Sequence, residues 1–149
     1  MTDANHREIL GGFAEIMRTH DWDRLGDYLT EDIVWEYPQS GERFRGISNI
    51  RAQFENYPDL KPGTTLLEEV ITNTTYALTP TYTLVMVDGG GDRGTALNRV
   101  RYPDGSRWWA VNIYELRDGK VAHSRSFFAP EFEPPDWRAP FREAPEAPL

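Results

Sequence analysis

One stretch limits what this chain can fold into: Arg107-Trp-Trp-Ala-Val-Asn-Ile-Tyr-Glu-Leu116, then Arg117-Asp-Gly-Lys120, then Val121-Ala-His-Ser-Arg-Ser-Phe-Phe128. Its central Asp118-Gly119 suits a two-residue hairpin turn, in which both positions take positive φ. Side chains alternate between the two faces of a strand. That places Trp108, Ala110, Asn112, Tyr114 and Leu116 on one face, and Trp109, Val111 and Ile113 on the other. A strand that is apolar on both sides has something packed on each. The first face also carries an amide and a phenol, and buried polar groups need partners. It reads as the wall of a pocket rather than plain core.

The chain has 149 residues, the size of one domain. Its 16 basic and 24 acidic side chains give a net charge of −8. That sign argues against nucleic acid or an anionic membrane as a partner, because phosphate binding rests on Lys and Arg. The absence of cysteine removes disulfides, thiolate nucleophiles and Cys-ligated metals. The polar N-terminus has no apolar run of the secretory kind, and no segment approaches the ~18 apolar residues of a membrane span. A cytoplasmic protein is expected.

Ile9, Phe13, Ile16, Met17 and His20 recur at helical spacing, which predicts a first helix over Asn5–Thr19. Asp21 is placed to cap a second, short helix bearing Trp22, Leu25, Tyr28 and Leu29. Ile33–Tyr37 reads as a strand ended by Pro38, and Ile47, Ile50, Phe54 and Tyr57 mark a third helix behind Gly46. Beyond Pro62 the period changes to two, with strands expected at Leu66–Asn73, Tyr82–Val87, Leu97–Tyr102, Arg107–Leu116 and Val121–Phe128. Helices followed by strands is the α+β order. The expected organisation is one domain over residues 1–130 and a Pro-rich tail over 131–149. Six of the eleven prolines fall from Pro130 onward, so the tail should be extended. Phe132, Trp137 and Phe141 give it means to dock on the body or on a second subunit.

Two motif-like patterns carry no chemistry. Gly89-Gly-Gly-Asp-Arg-Gly94 matches G-x-G-x-x-G, but a dinucleotide fingerprint must open a helix, and here a strand follows. It is a hairpin loop. His123 lies between Ser124 and Ser126, yet neighbours on a strand face opposite ways. The three histidines never share a helix face at metal-ligand spacing, so no metal site is expected.

The order of these parts is distinctive: Asp21-Trp-Asp23 opening a short helix, Glu31-Asp-Ile-Val-Trp-Glu-Tyr-Pro38, Gly46 before a helix, and closing strands joined by Asp118-Gly-Lys120. Over roughly residues 5–130 the chain resembles the nuclear transport factor 2-like superfamily, in its SnoaL-like branch. The resemblance implies a curved, mostly antiparallel sheet wrapped around about three N-terminal helices, a cone-shaped α+β barrel with an apolar pocket. It also implies a homodimer through the outer sheet face, here Trp109, Val111, Ile113 and Phe127. The superfamily includes polyketide cyclases, ketosteroid isomerases, epoxide hydrolases and dehydratases, besides members that only bind or associate.

Carried over residue by residue, the family's acid–base groups are missing. The isomerase base falls on Tyr37, the oxyanion-hole tyrosine on Phe13, and the protonated aspartate of the penultimate strand on Asn112. The cyclase and hydrolase aspartate, seven residues past the hairpin glycine, falls on Ser126. Enolisation needs a base unprotonated at neutral pH, which neither a serine nor a tyrosine supplies unaided. Hydrogen-bond donors for an oxyanion do survive. The expected catalytic set is Asn112, Tyr37, Tyr114 and Ser126, with His20 as a proton carrier at the pocket mouth. Phe13, Trp22, Trp35, Phe54, Tyr57, Trp108, Ser124 and Phe128 would bind the ligand, with no cofactor. Three functions stay open: a cofactor-independent isomerase, cyclase or dehydratase acting on a small apolar oxygenated molecule; a non-catalytic binder of such a molecule; and a dimeric association module.

Overall fold

A computed structural model describes residues 3–56, 67–71, 74–76, 81–101 and 105–144. Helix α1 (Asp3–Thr19) is followed by a 3-10 helix (Trp22–Asp27), strands β1 (Leu29–Tyr37) and β2 (Glu42–Arg45), and helix α2 (Ile47–Glu55). Strands β3 (Leu67–Ile71), β4 (Thr74–Tyr76), β5 (Thr81–Gly90), β6 (Arg93–Arg101), β7 (Arg107–Arg117) and β8 (Lys120–Pro130) follow, then a 3-10 helix, Asp136–Phe141. Six strands form one sheet in the order β2-β1-β8-β7-β6-β5, and β3 pairs with β4 separately. Every pairing is antiparallel except β1 with β8. The fold is the expected α+β, with the curved sheet left open. The short second helix is 3-10 in form, and Asp21 stands at its N-cap without a side-chain bond.

The closing hairpin turns as its sequence requires. Asp118 and Gly119 take φ of 53° and 77°, matching the right-handed twist of the flanking strands. Along β7, Ala110, Tyr114 and Leu116 are buried while Ile113 is exposed. Along β8, Ser124 and Ser126 are buried on the same inner face. This even-numbered pattern breaks once. The register shifts between Glu115 and Leu116, so Val121 opposes Leu116 and is buried beside it. A bulge puts one extra residue into one strand and re-phases the side chains beyond it.

The core lies between the inner sheet face and the helices. Ile9, Leu10 and Ile16 of α1, Leu25 of the 3-10 helix and Ile50 of α2 meet Leu29, Ile33 and Trp35 of β1 and Leu116 of β7. Ile16, Leu25, Ile33 and Ile50 are fully sealed, each such side chain contributing about 1.5–3 kcal/mol.

One polar tie crosses this core. His6, fully buried, approaches Gly91 O with Nε2 at 2.9 Å and Tyr114 Oη with Nδ1 at 2.9 Å. A carbonyl only accepts, so Nε2 carries the proton and Tyr114 donates to Nδ1. The first turns of α1 are thereby fastened to the β5–β6 turn and to β7. Gly91-Asp92 is that turn, so the G-x-G-x-x-G run is a hairpin, as its sequence context required. Its last glycine has a packing role. Gly94 pairs directly with Tyr114, and a Cβ there would collide with the phenol.

The tail runs without regular structure from Glu131 to Pro135 before its single 3-10 helix. Glu131 faces Arg107 at 3.3 Å and Arg99 at 3.9 Å. Phe132, Trp137 and Phe141 are 77%, 72% and 84% exposed, so they do not dock on the body of their own chain. Among the described residues, no helix is long and apolar enough to cross a membrane.

Gly94→Ala should destabilise the protein by about 1–3 kcal/mol, the usual cost of overpacking. Gly90→Ala, where an added Cβ meets nothing within 4 Å, should stay within about 0.5 kcal/mol of wild type. Urea unfolding of the two variants compares them directly.

Candidate functional site

The inner sheet face and the helices leave a cleft of about 520 Å³, part of it open to solvent. Leu10, Phe13, Ala14 and Met17 of α1 and Phe54 of α2 form its helical side. Trp35 and Tyr37 of β1, Leu84 of β5, Asn98 of β6, Ala110 and Asn112 of β7, and Ser126 and Phe128 of β8 form its sheet side. Phe13 and Phe54 pack against Trp35, at ring distances of 5.5 and 6.3 Å. The wall is oily, with a few polar groups set into it, as small-molecule sites generally are.

Those polar groups are ordered. Trp35 Nε1 donates to Ser126 Oγ at 2.7 Å, and Ser126 Oγ donates to Asn112 Oδ1 at 2.7 Å. An indole N–H can only donate. The serine oxygen accepts from Trp35, and its own proton goes to Asn112 Oδ1. This fixes the Asn112 amide with its oxygen toward Ser126 and leaves its NH2 without a partner among the described residues. Register makes the chain possible, because Asn112 opposes Ser126 on β7 and β8 while β1 runs alongside β8.

Tyr37 ends β1 at the cleft wall, its Oη accepting from Gln53 Nε2 of α2. Burial pushes the Tyr37 phenol above its ordinary range. It is a neutral donor at physiological pH, and its own proton remains available. Gln39 holds the neighbouring rim, donating to Phe128 O at 2.8 Å and accepting from Phe128 N at 2.6 Å. Phe128 in turn packs 5.9 Å from the Tyr37 ring.

Of the residues expected from sequence, the cleft brings together Tyr37, Asn112, Ser126, Phe13, Trp35, Phe54 and Phe128. Tyr114, Ser124, Trp108, Trp22 and His20 stand apart from this lining. Tyr114 and Ser124 face one another one inward row nearer the hairpin turn, inside the core. The Tyr114 hydroxyl is taken by His6, and burial pushes its pKa up to about 12. Trp108 lies at the far end of the hairpin, opposite Pro130, with its indole donating to Ser106 Oγ at 3.0 Å. Trp22 stacks on Phe54 at 5.3 Å and supports the lining from behind. His20 ends α1 with φ of 58° and stacks on Trp22 at 5.2 Å, and burial lowers its pKa. Tyr57 lies outside the described residues.

Sequence reasoning missed Asn98, along with the apolar Leu10, Ala14, Met17, Leu84 and Ala110. Asn98 sits on the inner face of β6 with Ala96 and Val100 and is 7% exposed. Its signal was an amide in an inward row of small and apolar residues, visible only once β6 is extended back to Arg93.

His123 belongs to the opposite face. Its Nε2 donates to Glu36 Oε2 at 2.7 Å, with Arg125 Nε 3.2 Å from the same oxygen and Glu115 4.0 Å from Nδ1. The His123 hydrogen bond holds the Glu36 carboxyl below its ordinary range. Among the described residues, no group of three His, Asp or Glu side chains is arranged to hold a metal, and no carboxylate lines the cleft.

Comparison with known proteins places this geometry. Residues 10–124 match the SnoaL-like domain, and the chain belongs to that family. Its fold is similar to an NTF-2 like protein of unknown function from Burkholderia xenovorans, with 26% identity, TM-score 0.73, and 96% and 97% of the two chains covered. It is also similar to a Kribbella flavida protein whose ketosteroid isomerase designation is provisional, at 20% identity and TM-score 0.73, covering 97% and 92%. An LEH-like epoxide hydrolase from M. tuberculosis shares the fold at 13% identity and TM-score 0.59, covering 84% and 83%. No curated protein matches by sequence.

Two outcomes follow from the site's bonding. Ser126→Ala leaves the Trp35 N–H and Asn112 Oδ1 unpartnered together, and should cost about 1–3 kcal/mol in denaturant unfolding. Glu36 has a lowered folded-state pKa, so its contribution is present above the ordinary carboxylate value of 4.5. That contribution disappears as pH falls through the lowered value. The stability gap between wild type and Glu36→Gln should therefore be constant near pH 6 and close below pH 4.5, read from urea midpoints at successive pH values.

Proposed function

We propose that the cleft binds a small, flat, apolar molecule bearing a carbonyl-type oxygen and polarises that oxygen. The observation that carries this reading is the Asn112 NH2, without a partner among the described residues and oriented by the Ser126 hydrogen bond beside an oily wall. The protonated Tyr37 phenol is a second donor on the same cleft. Preorganised donors at a developing oxyanion are the electrophilic half of isomerisation, cyclisation or dehydration. The isomerase designation of the Kribbella flavida protein of similar fold lies in this range of chemistry.

A second reading, ligand binding without turnover, is favoured by the absence of any carboxylate from the described lining. Tyr37 is too weak an acid to ionise there, and the Ser126 proton is committed to Asn112. Both readings require the same bound carbonyl. They part on whether the compound retained through purification is released unaltered or exchanges as product, which native mass spectrometry resolves.

The binding step has a direct check. 3-Isopropylacetophenone titrated into wild-type protein should bind with measurable heat, and Asn112→Ala should weaken it about tenfold or more. Unchanged affinity in Asn112→Ala removes the proposed role of that amide.

We also propose that the outer sheet face pairs two copies of the chain. Met86, Leu97, Val111 and Phe127 form one cross-strand row over β5 to β8. Met86 and Phe127 within it, and Ile113 beside it, are exposed, and contiguous exposed apolar surface marks interaction sites. Trp109 extends the patch beneath the Arg99 guanidinium, 5.6 Å from its ring. Sedimentation should find a wild-type dimer at micromolar concentration and a monomer for Ile113→Lys/Phe127→Lys. A monomeric wild type overturns the pairing.

A further inference from the structure

Asn98 is an amide that the fold buries and then leaves unused. Its side chain is 93% buried, lines the cleft, and has no hydrogen-bond partner among the described residues. An amide presents two donors and an acceptor, and those of Asn98 face the cleft, where a ligand or water can meet them. The cross-strand register shows why nothing in the sheet satisfies it. Asn98 opposes Ala110 and Asn112 opposes Ala96, so each amide faces a methyl group across the strand gap. The two asparagines are diagonal neighbours on one face of adjacent strands, with Cα atoms about 7–8 Å apart. Of the two alanines, Ala110 lines the cleft beside Asn98, while Ala96 is packed in the core.

The two amides differ in freedom. Asn112 is locked by Ser126 and offers only NH2 to the cleft. Among the described residues no hydrogen bond fixes Asn98, which can turn either end of its amide toward a ligand.

We propose that Asn98 is a specificity-determining residue that reads a second oxygen of the same ligand whose first oxygen Asn112 holds. The ligand class narrows accordingly, to flat apolar molecules carrying two oxygen functions on one edge, a few bonds apart, as in a 1,3-diacyl ring. This inference rests on the carbonyl-binding reading of the cleft given above and adds a second contact to it. A ligand with one oxygen leaves Asn98 buried against carbon, and sites built around a polar contact discriminate against analogues that lack it.

The test compares two near-isosteric probes by calorimetric titration, 1,3-diacetylbenzene and 3-isopropylacetophenone. The second replaces one acetyl group by isopropyl and is the oilier, so burial alone favours it. Wild-type protein should bind the diketone at least about tenfold more tightly. Asn98→Leu, which keeps the volume and removes the hydrogen bonds, should abolish or invert that preference while binding of the monoketone changes less than about threefold.

Equal binding of the two probes by wild type overturns the inference without any variant, and Asn98 then only holds water. A preference that persists in Asn98→Leu also overturns it, because the second oxygen is then read elsewhere. If both probes bind without preference, the carbonyl-binding reading stands and only the second contact fails. If neither binds, the reading of the cleft itself fails and the inference falls with it.

Discussion

The hydrogen-bond chain from Trp35 through Ser126 to Asn112 is the interaction on which the site depends. It joins three neighbouring strands along the inner face of the sheet, and each bond polarises the next. Its first bond runs from an indole that can only donate, and its second from the serine hydroxyl to the Asn112 carbonyl oxygen. Everything downstream follows from that asymmetry. The serine becomes a relay with no proton to spare, and the asparagine is turned with its donors outward. A wall assembled from neutral side chains thus acquires a fixed polarity. Aromatic packing keeps the starting point in place, because Phe13 and Phe54 hold the Trp35 ring and Trp22 holds Phe54.

The hairpin carrying two links of this chain was legible in sequence for a simple reason. Asp118-Gly119 fixes the turn, the turn fixes the pairing, and the pairing fixes which side chains face inward. The three N-terminal helical segments were equally legible from their apolar spacing. β2 was not, because Glu42–Arg45 is a short and mostly charged edge strand, with no inward row to betray it. β4, of three residues, is too short for any period to register. β6 was read from Leu97 onward, and its first residues, Arg93-Gly-Thr-Ala96, resemble a loop until Gly94 is seen beneath Tyr114.

Parity tells which face a side chain takes, but not how far along the cone it lies. Moving from the turn, the inward rows of β7 and β8 run Leu116/Val121, Tyr114/Ser124, Asn112/Ser126, Ala110/Phe128 and Trp108/Pro130. Only the third and fourth rows open on the cleft through both members. The first two are claimed by the core, and the second specifically by His6, which reaches Tyr114 from the start of α1. No local pattern in β7 announces that contact, because it spans more than a hundred residues of sequence. Tyr114 and Ser124 therefore share the inward face but lie deeper than the cleft lining, which Asn112 and Ser126 reach. Asn98 escaped for the complementary reason. Its strand partner in register is an alanine, so nothing in the sequence of β7 pointed back to it.

The same geometry gives a physical account of why a serine at position 126 and an asparagine at position 112 belong together. A carboxylate at 126 would accept from Trp35 and could not donate to Asn112 Oδ1, so two oxygens would face each other across the β7–β8 gap. Turning the Asn112 amide over would relieve that repulsion by directing its NH2 to the carboxylate. The cleft would then be offered a carbonyl oxygen in place of a donor. A base at 126 and an oxyanion donor at 112 are thus alternatives on this pair of strands, selected by one proton on the relay. With serine donating to Asn112 Oδ1, the pair presents donors to the cleft. Any proton abstraction must then be supplied by a group other than residue 126.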